Sequence, residues 1–354
     1  RIDDGECVAR VKQNGAALFH VGVDPAQHLR RGARRAGNDR PIKHGKEGKL
    51  VARDVHAHRR AGFERGACGE KRSEAFEAGL ADIVGLGVAG DDIGKARPLC
   101  RAHFERKRSV FGLLRARRHL CQRLIILEEQ AQAKLLVCEH TMDLNNFLST
   151  QVVEIFAAEG SHFDYYNLEE SNEMTSRFSS LHAKLEASAN VLVNGISLNN
   201  GTSRNNYYVE LLGESAEATL CGMAIIDQEQ KVDTYSHVTH AVPNCTSTEL
   251  FKYVLDDKAV GAFSGRILVK EGAQKTQAYQ TNRNLSSSRE ALMYSKPQLE
   301  IYADDVKCSH GMTTGQLDEN ALFYMRSRGI AEAEARMLLS VAFTSDVIDY
   351  VRMD

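Results

Sequence analysis

The 354-residue sequence contains no tryptophan and only 5 prolines. No apolar run reaches the ~18 residues that would cross a bilayer, and no charged-then-apolar leader opens the chain. Both absences predict a protein with no membrane role. The 8 cysteines, at positions 7, 68, 100, 121, 138, 221, 245 and 308, form no Cys-x-x-Cys pair. A disulfide scaffold would be shorter and denser in cysteine. The reading is therefore of reduced thiols in the cytoplasm, with the Asn-x-Ser/Thr matches at Asn200, Asn244 and Asn284 fortuitous. The first residue is Arg rather than Met, which predicts a start further upstream.

Tyrosine is absent from residues 1–120, which instead hold 19 arginines. Charge is split along the chain. Residues 1–120 carry 26 Lys+Arg against 15 Asp+Glu, and residues 121–354 carry 19 against 32. The basic third has neither helical nor strand periodicity over 28–49. Clustered arginine suits a nucleic-acid arm, but no aromatic residues interleave for stacking, and nucleic-acid binding is not expected. A disordered tail would hold more Ser and Glu. The reading taken is that 1–120 is a basic, irregular segment of doubtful authenticity, with the look of a shifted or opposite-strand frame of a GC-rich gene.

Two nucleotide-site motifs in this segment fail on context. Gly85, Gly87 and Gly90 match a dinucleotide fingerprint, which must open a helix, yet Gly94 and Pro98 follow. The stretch 90–96 resembles a phosphate-binding loop, but it is one residue short and has Ala96 where Ser or Thr would hold magnesium. The chain is thus not expected to bind nucleotide or to be an enzyme of that kind.

From about 121 the pattern changes to short runs of β-branched and aromatic residues. A turn recurs with Glu at 129, 159, 186, 214 and 271, a period of about 28 residues or its double. A fixed period of strand-length pieces separated by small turn residues points to a β-solenoid, in which each coil buries its apolar face on the next. An antiparallel sandwich is the alternative, disfavoured by the scarcity of tight hairpin signals. Whether 28 residues make one wide coil or two narrow ones stays open. After Gly311 the pattern turns helical. Asp318 is the expected N-cap of a first helix and Gly329 its stop. Leu338, Val341, Ala342, Ile348 and Val351 mark the apolar stripe of a second, read as a cap over the open end of the stack or as a docking face.

Within 301–311, "IYADDVKCSHG", strand alternation puts Val306, Cys308 and His310 on one face and Asp305, Lys307 and Ser309 on the other. A thiol and an imidazole two residues apart reach one ion, but a closed site takes four ligands, so the rest must come from elsewhere. Cys245, His237 and His240 are secondary candidates, the two histidines being read first as satisfied strand residues. A Cys–His nucleophile would need an orienting group and an oxyanion hole, and neither has a signature here. The acids at 300–305 resemble those of solenoid polysaccharide lyases or hydrolases, the alternative reading.

The stretches 240–285, 296–311 and 315–330 resemble the SufB/SufD family of iron–sulfur cluster assembly scaffolds, and its SufD branch more closely than its SufB branch. The resemblance covers about 121–354 and does not reach 1–120. It implies a right-handed parallel β-helix over 121–312 and a C-terminal helical region over 313–354 that docks an ATPase. It implies a non-enzymatic scaffold that pairs with a SufB-like paralogue and a SufC-like ABC-type ATPase, or with itself when that paralogue is absent. Cys308 and His310 would face a nascent, transient iron–sulfur cluster shared with the partner, with Lys307 as a possible helper and no permanent cofactor. ATP-driven closure of the ATPase would shift the scaffold interface.

Overall fold

A computed structural model describes residues 6–11, 17–23, 117–141 and 146–352. The described chain alternates between two parallel sheets, one strand in each per coil. The first sheet holds β1 (Glu6–Val11), β3 (Arg117–Leu127), β5 (Phe147–Ala157), β7 (Thr175–Leu185), β9 (Thr202–Leu211), β11 (Lys231–His240), β13 (Val260–Val269) and β15 (Leu292–Ile301). The second holds β2 (Ala17–Val23), β4 (Gln132–His140), β6 (His162–Glu170), β8 (Asn190–Asn199), β10 (Glu217–Ile226), β12 (Thr246–Leu255), β14 (Gln277–Ser286) and β16 (Lys307–Gln316). This is the β-solenoid read from the period. One wide coil makes the repeat: residues that meet across neighbouring coils, such as Arg123 and Gln151 or Arg204 and Asp233, are 28 and 29 apart.

The turn between the sheets explains the repeating sequence signal. Gln130, Gly160, Ser188, Ser215, Asn244 and Lys275 all have φ between 54° and 65°. Each bends the chain in the left-handed region, and stacked backbone bonds hold the turns in line: Gln130 N donates to Glu159 O and Gly160 N to Ala187 O, each at 2.9 Å. The next residue points into the stack, where there is room only for a small side chain. Ala131, Ser161, Ala189, Ala216, Cys245 and Thr276 fill this row, none more than 1% exposed. Inside, alternate positions build one apolar core from Ile125 to Ala303. Burying it from coil to coil drives the stacking.

Two helices follow. α1 (Glu319–Ser327) is capped by Asp318, whose carboxylate accepts from Asn320 N at 2.9 Å, and the chain leaves it through Gly329 at φ 88°. α2 (Glu332–Ile348) packs on the outer face of the second sheet, against β10 and β12. That face is apolar on β10, as a sheet covered on both sides requires. The Lys252 ammonium donates to Phe343 O at 2.7 Å and Asn194 Nδ2 to Val347 O at 3.0 Å.

Several expectations need correction. Residues 1–120, expected to be irregular, contain β1 and β2, which pair in parallel with β3 and β4. The nucleotide-like motifs at 85–90 and 90–96 lie outside the described residues. Beyond β1 and β2, the consecutive run of coils starts at Arg117 rather than 121 and runs to Gln316 rather than 312. The apolar stripe of α2 is displaced by about one residue: Ala335, Thr344 and Val347 are buried, whereas Leu338 is 41% exposed. α2 also lies along the flank of the stack and does not cap its end, because its polar anchors Lys252 and Asn194 sit on the sheet face.

Candidate functional site

β15 and β16 are the last strands of their sheets among the described residues, each with a neighbour on one side only. Neither strand has a buried residue. Tyr294 on β15 and Tyr302 just after it are 61% and 64% exposed, and Leu292 and Met312 are about half exposed. Two ten-residue edge strands with apolar side chains and unpaired backbone groups invite pairing with another chain.

Cys308 and His310 stand on this edge. In register, Cys308 lies over Ala278, His310 over Gln280, Met312 over Asn282 and Thr314 over Asn284. All four residues beneath are buried, so Cys308 and His310 belong to the row that faces the interior and are uncovered because no further coil follows among the described residues. Cys308 is half-buried against the core, and His310 is exposed. Burial pushes the Cys308 thiol up, partly offset by the Ala278 N–H. The thiol is therefore protonated at neutral pH and must lose its proton to ligate a metal. Lys307 is exposed on the opposite face, above Gln277.

The secondary candidates are not brought to this pair. Cys245 occupies the small-residue row of the turn, its thiol donating to Gly213 O at 3.3 Å. His240 is buried with Nε2 2.8 Å from Ser247 Oγ, and burial lowers its pKa to about 4, so it is a neutral core residue. His237 lies on the outer face of the first sheet among Tyr208 and Tyr235, its pKa lowered by burial and by Arg266. Among the described residues no three His, Cys, Asp or Glu side chains gather as a metal site. Of the acids at 300–305, Glu300 is held by Arg266 Nε at 2.9 Å. No two described cysteines form a disulfide, and no helix among the described residues is long and apolar enough to cross a membrane.

Two polar clusters inside the stack escaped sequence reading. Near its start, Arg177 Nε donates to Glu139 at 2.6 Å and Nη1 to Asn205 at 2.5 Å. Arg123 Nη1 reaches Gln151 at 2.9 Å, and Ser203 and Ser197 donate to Glu169. Burial pushes the Glu139 carboxyl up, but Arg177 and Arg123 outweigh it and hold the group below its usual range. Near the open end, Glu249 accepts from Ser236 at 2.6 Å and from Gln280 Nε2 at 3.1 Å. The available signal was a polar side chain at an inward position of a strand, as Glu249 is between Leu220 and Gln280 in register.

Comparison with known proteins places these features in a family. The family model for the SUF system FeS cluster assembly SufBD core domain matches residues 116–343. The iron–sulfur cluster assembly protein SufD of Escherichia coli is 33% identical over 229 residues, covering 64% of this chain and 53% of that protein. An iron–sulfur cluster assembly SufBD family protein of Synechocystis is 38% identical over 156 residues, 44% of this chain and 34% of that one. The chloroplastic protein ABCI7 of Arabidopsis thaliana is 29% identical over 204 residues, 57% and 43% of the two chains. The chain spans about half the length or less of these relatives. Over the coils that carry Cys308 and His310 and the helix α1 and most of α2, this chain belongs to the SufB/SufD family of iron–sulfur cluster assembly proteins.

Proposed function

We propose that the chain is a SufD-like, non-catalytic scaffold subunit that pairs through its open last coil with a SufB-like subunit and offers Cys308 and His310 to a nascent iron–sulfur cluster at that seam. The observation that carries this reading is the position of the pair: a thiol and an imidazole in one inward-facing row, uncovered only at the unpaired edge. A thiolate and an imidazole suit iron, and two ligands leave room for a second chain to supply the others. The cluster is cargo here, transiently held rather than resident.

The same reading gives the C-terminal helices to a SufC-like ABC-type ATPase. Phe323 and Tyr324 of α1 and Leu338 of α2 are exposed apolar side chains there. β12 carries Lys252 on its outer face, tied to α2, and Glu249 on its inner face, one rung from Gln280. A pull on α2 therefore has a short mechanical route toward the strand edge. In the absence of the SufB-like subunit the same edge suits a second copy of this chain.

The test is His310→Ala in the complex purified from the native source. The expected result is an intact complex, with the ABC-type ATPase still captured, and a reduced content of iron and sulfide. Unchanged iron and sulfide would refute the role of the site. Failure to capture an ABC-type ATPase with the wild-type chain would refute the assignment of partners.

A further inference from the structure

His310 sits at the edge with no hydrogen bond to another described side chain, yet one rung below it lies an acceptor with nothing to accept. Gln280 is 1% exposed. Its Nε2 donates to Glu249 Oε2 at 3.1 Å, while its Oε1 is buried with no partner. The orientation of the amide is not arbitrary. Glu249 already accepts from Ser236 at 2.6 Å, so its carboxylate needs the nitrogen end of Gln280, and the oxygen end is turned elsewhere. Space for this side chain is kept by Gly265 on β13, where a Cβ would collide with the Gln280 amide. The three residues Glu249, Gln280 and His310 follow one another in register across β12, β14 and β16. Neighbouring strands are about 4.8 Å apart, within reach of a glutamine amide and an imidazole.

An unsatisfied buried carbonyl is costly. The exposed imidazole above carries the donor that would satisfy it. Ligating histidines commonly give their second ring N–H to an acceptor that fixes tautomer and ring orientation.

From this geometry we infer that Gln280 is a positioning residue: its Oε1 accepts the N–H of His310, which leaves the other ring nitrogen bare and aimed at the seam. Glu249 and Ser236 act behind it by fixing the amide. The assignment rests on the reading of His310 as a cluster ligand, but the hydrogen bond is testable without any cluster.

The test is the ring ¹⁵N spectrum of the full, metal-free chain labelled at histidine, with His310 assigned by His310→Gln. The wild type is expected to show one neutral tautomer of His310. Gln280→Met, similar in length but without the acceptor, is expected to show a mixture. The swap Glu249→Gln with Gln280→Glu returns one acceptor beneath His310 and one donor behind it, and is expected to restore the single tautomer. An unchanged His310 signal in Gln280→Met would overturn the inference. Should that variant fail to fold, the wild-type spectrum decides alone: a single tautomer of His310 supports the inference and a mixture overturns it. If the tautomer responds while His310→Ala loads iron and sulfide normally, the Gln280 contact stands and the ligand reading falls.

Discussion

Lys252 Nζ lies 2.6 Å from the Asp346 carboxylate and 2.7 Å from the Phe343 carbonyl, over the Phe343 ring, on a sheet face that α2 covers. The ammonium is 3% exposed and its carboxylate partner 50%. Asp346→Ala leaves the cation one backbone acceptor in a mostly apolar surrounding. The expected cost is about 1–3 kcal/mol, read in chemical denaturation, with faster hydrogen exchange confined to α2. Unchanged α2 exchange would show that this pair does not hold the helix.

Arg177 serves two buried carboxylates, Glu139 and Glu169. Arg177→Met strands both, and breaking a buried pair in this way costs about 3–5 kcal/mol. The Glu139 carboxyl is held below its usual range in the folded chain. Its contribution is therefore present above the unfolded value of 4.5 and lost as pH falls through the folded one. The penalty of Arg177→Met is expected to be large at pH 7 and smaller at pH 4, where the stranded groups take up protons. Equal penalties at both pH values would contradict the ion-pair account.

Glu249 has the opposite sign. Burial, opposed by Ser236 and Gln280, raises its pKa from 4.5 to about 7. Its stabilising share is complete below the unfolded value and is lost as pH rises through the folded one. The gap corresponds to about 3 kcal/mol. Glu249→Gln is expected to remove this slope, so that the variant gains on the wild type between about pH 5 and pH 8 in parallel melts. Parallel stability curves across that range would rule out a titrating Glu249.

Cys245 and Cys308 differ in kind. Cys245→Ala keeps a small residue in the turn row and is expected to cost under about 1.5 kcal/mol with cluster loading intact. Cys245→Leu overfills that row and is expected to destabilise by about 1–3 kcal/mol. Cys308→Ala is expected to leave stability nearly unchanged and to reduce loading. Loss of loading in Cys245→Ala, with the chain still folded, would reinstate Cys245 as a ligand.

The solenoid was legible because its period is written in the turns. The left-handed position and the small residue after it recur in every coil from Gln130–Ala131 to Lys275–Thr276, and stacking permits little variation there. The face of Cys308 and His310 followed from alternation alone. The phase of α2 did not, because an error of one residue rotates a helix by about 100° and Leu338 and Leu339 are equally apolar. The strands of residues 6–23 were hidden by length: each is paired only through the next coil, so their signal lies in residues more than 100 positions away. Gln280 and Glu249 were missed because a polar residue at an inward position looks like any strand residue until its register partners are known.

The claim at the centre is that the last coil is an unfinished edge completed by another subunit, with Cys308 and His310 at the join. Hydrogen exchange of backbone amides 307–316, measured on the chain alone and in the native complex, tests it most directly. Amides along β16 are expected to exchange readily in the isolated chain and to become strongly protected in the complex, more than those of any interior strand. Equal exchange in both states would mean that no partner closes this edge, and the account would fail.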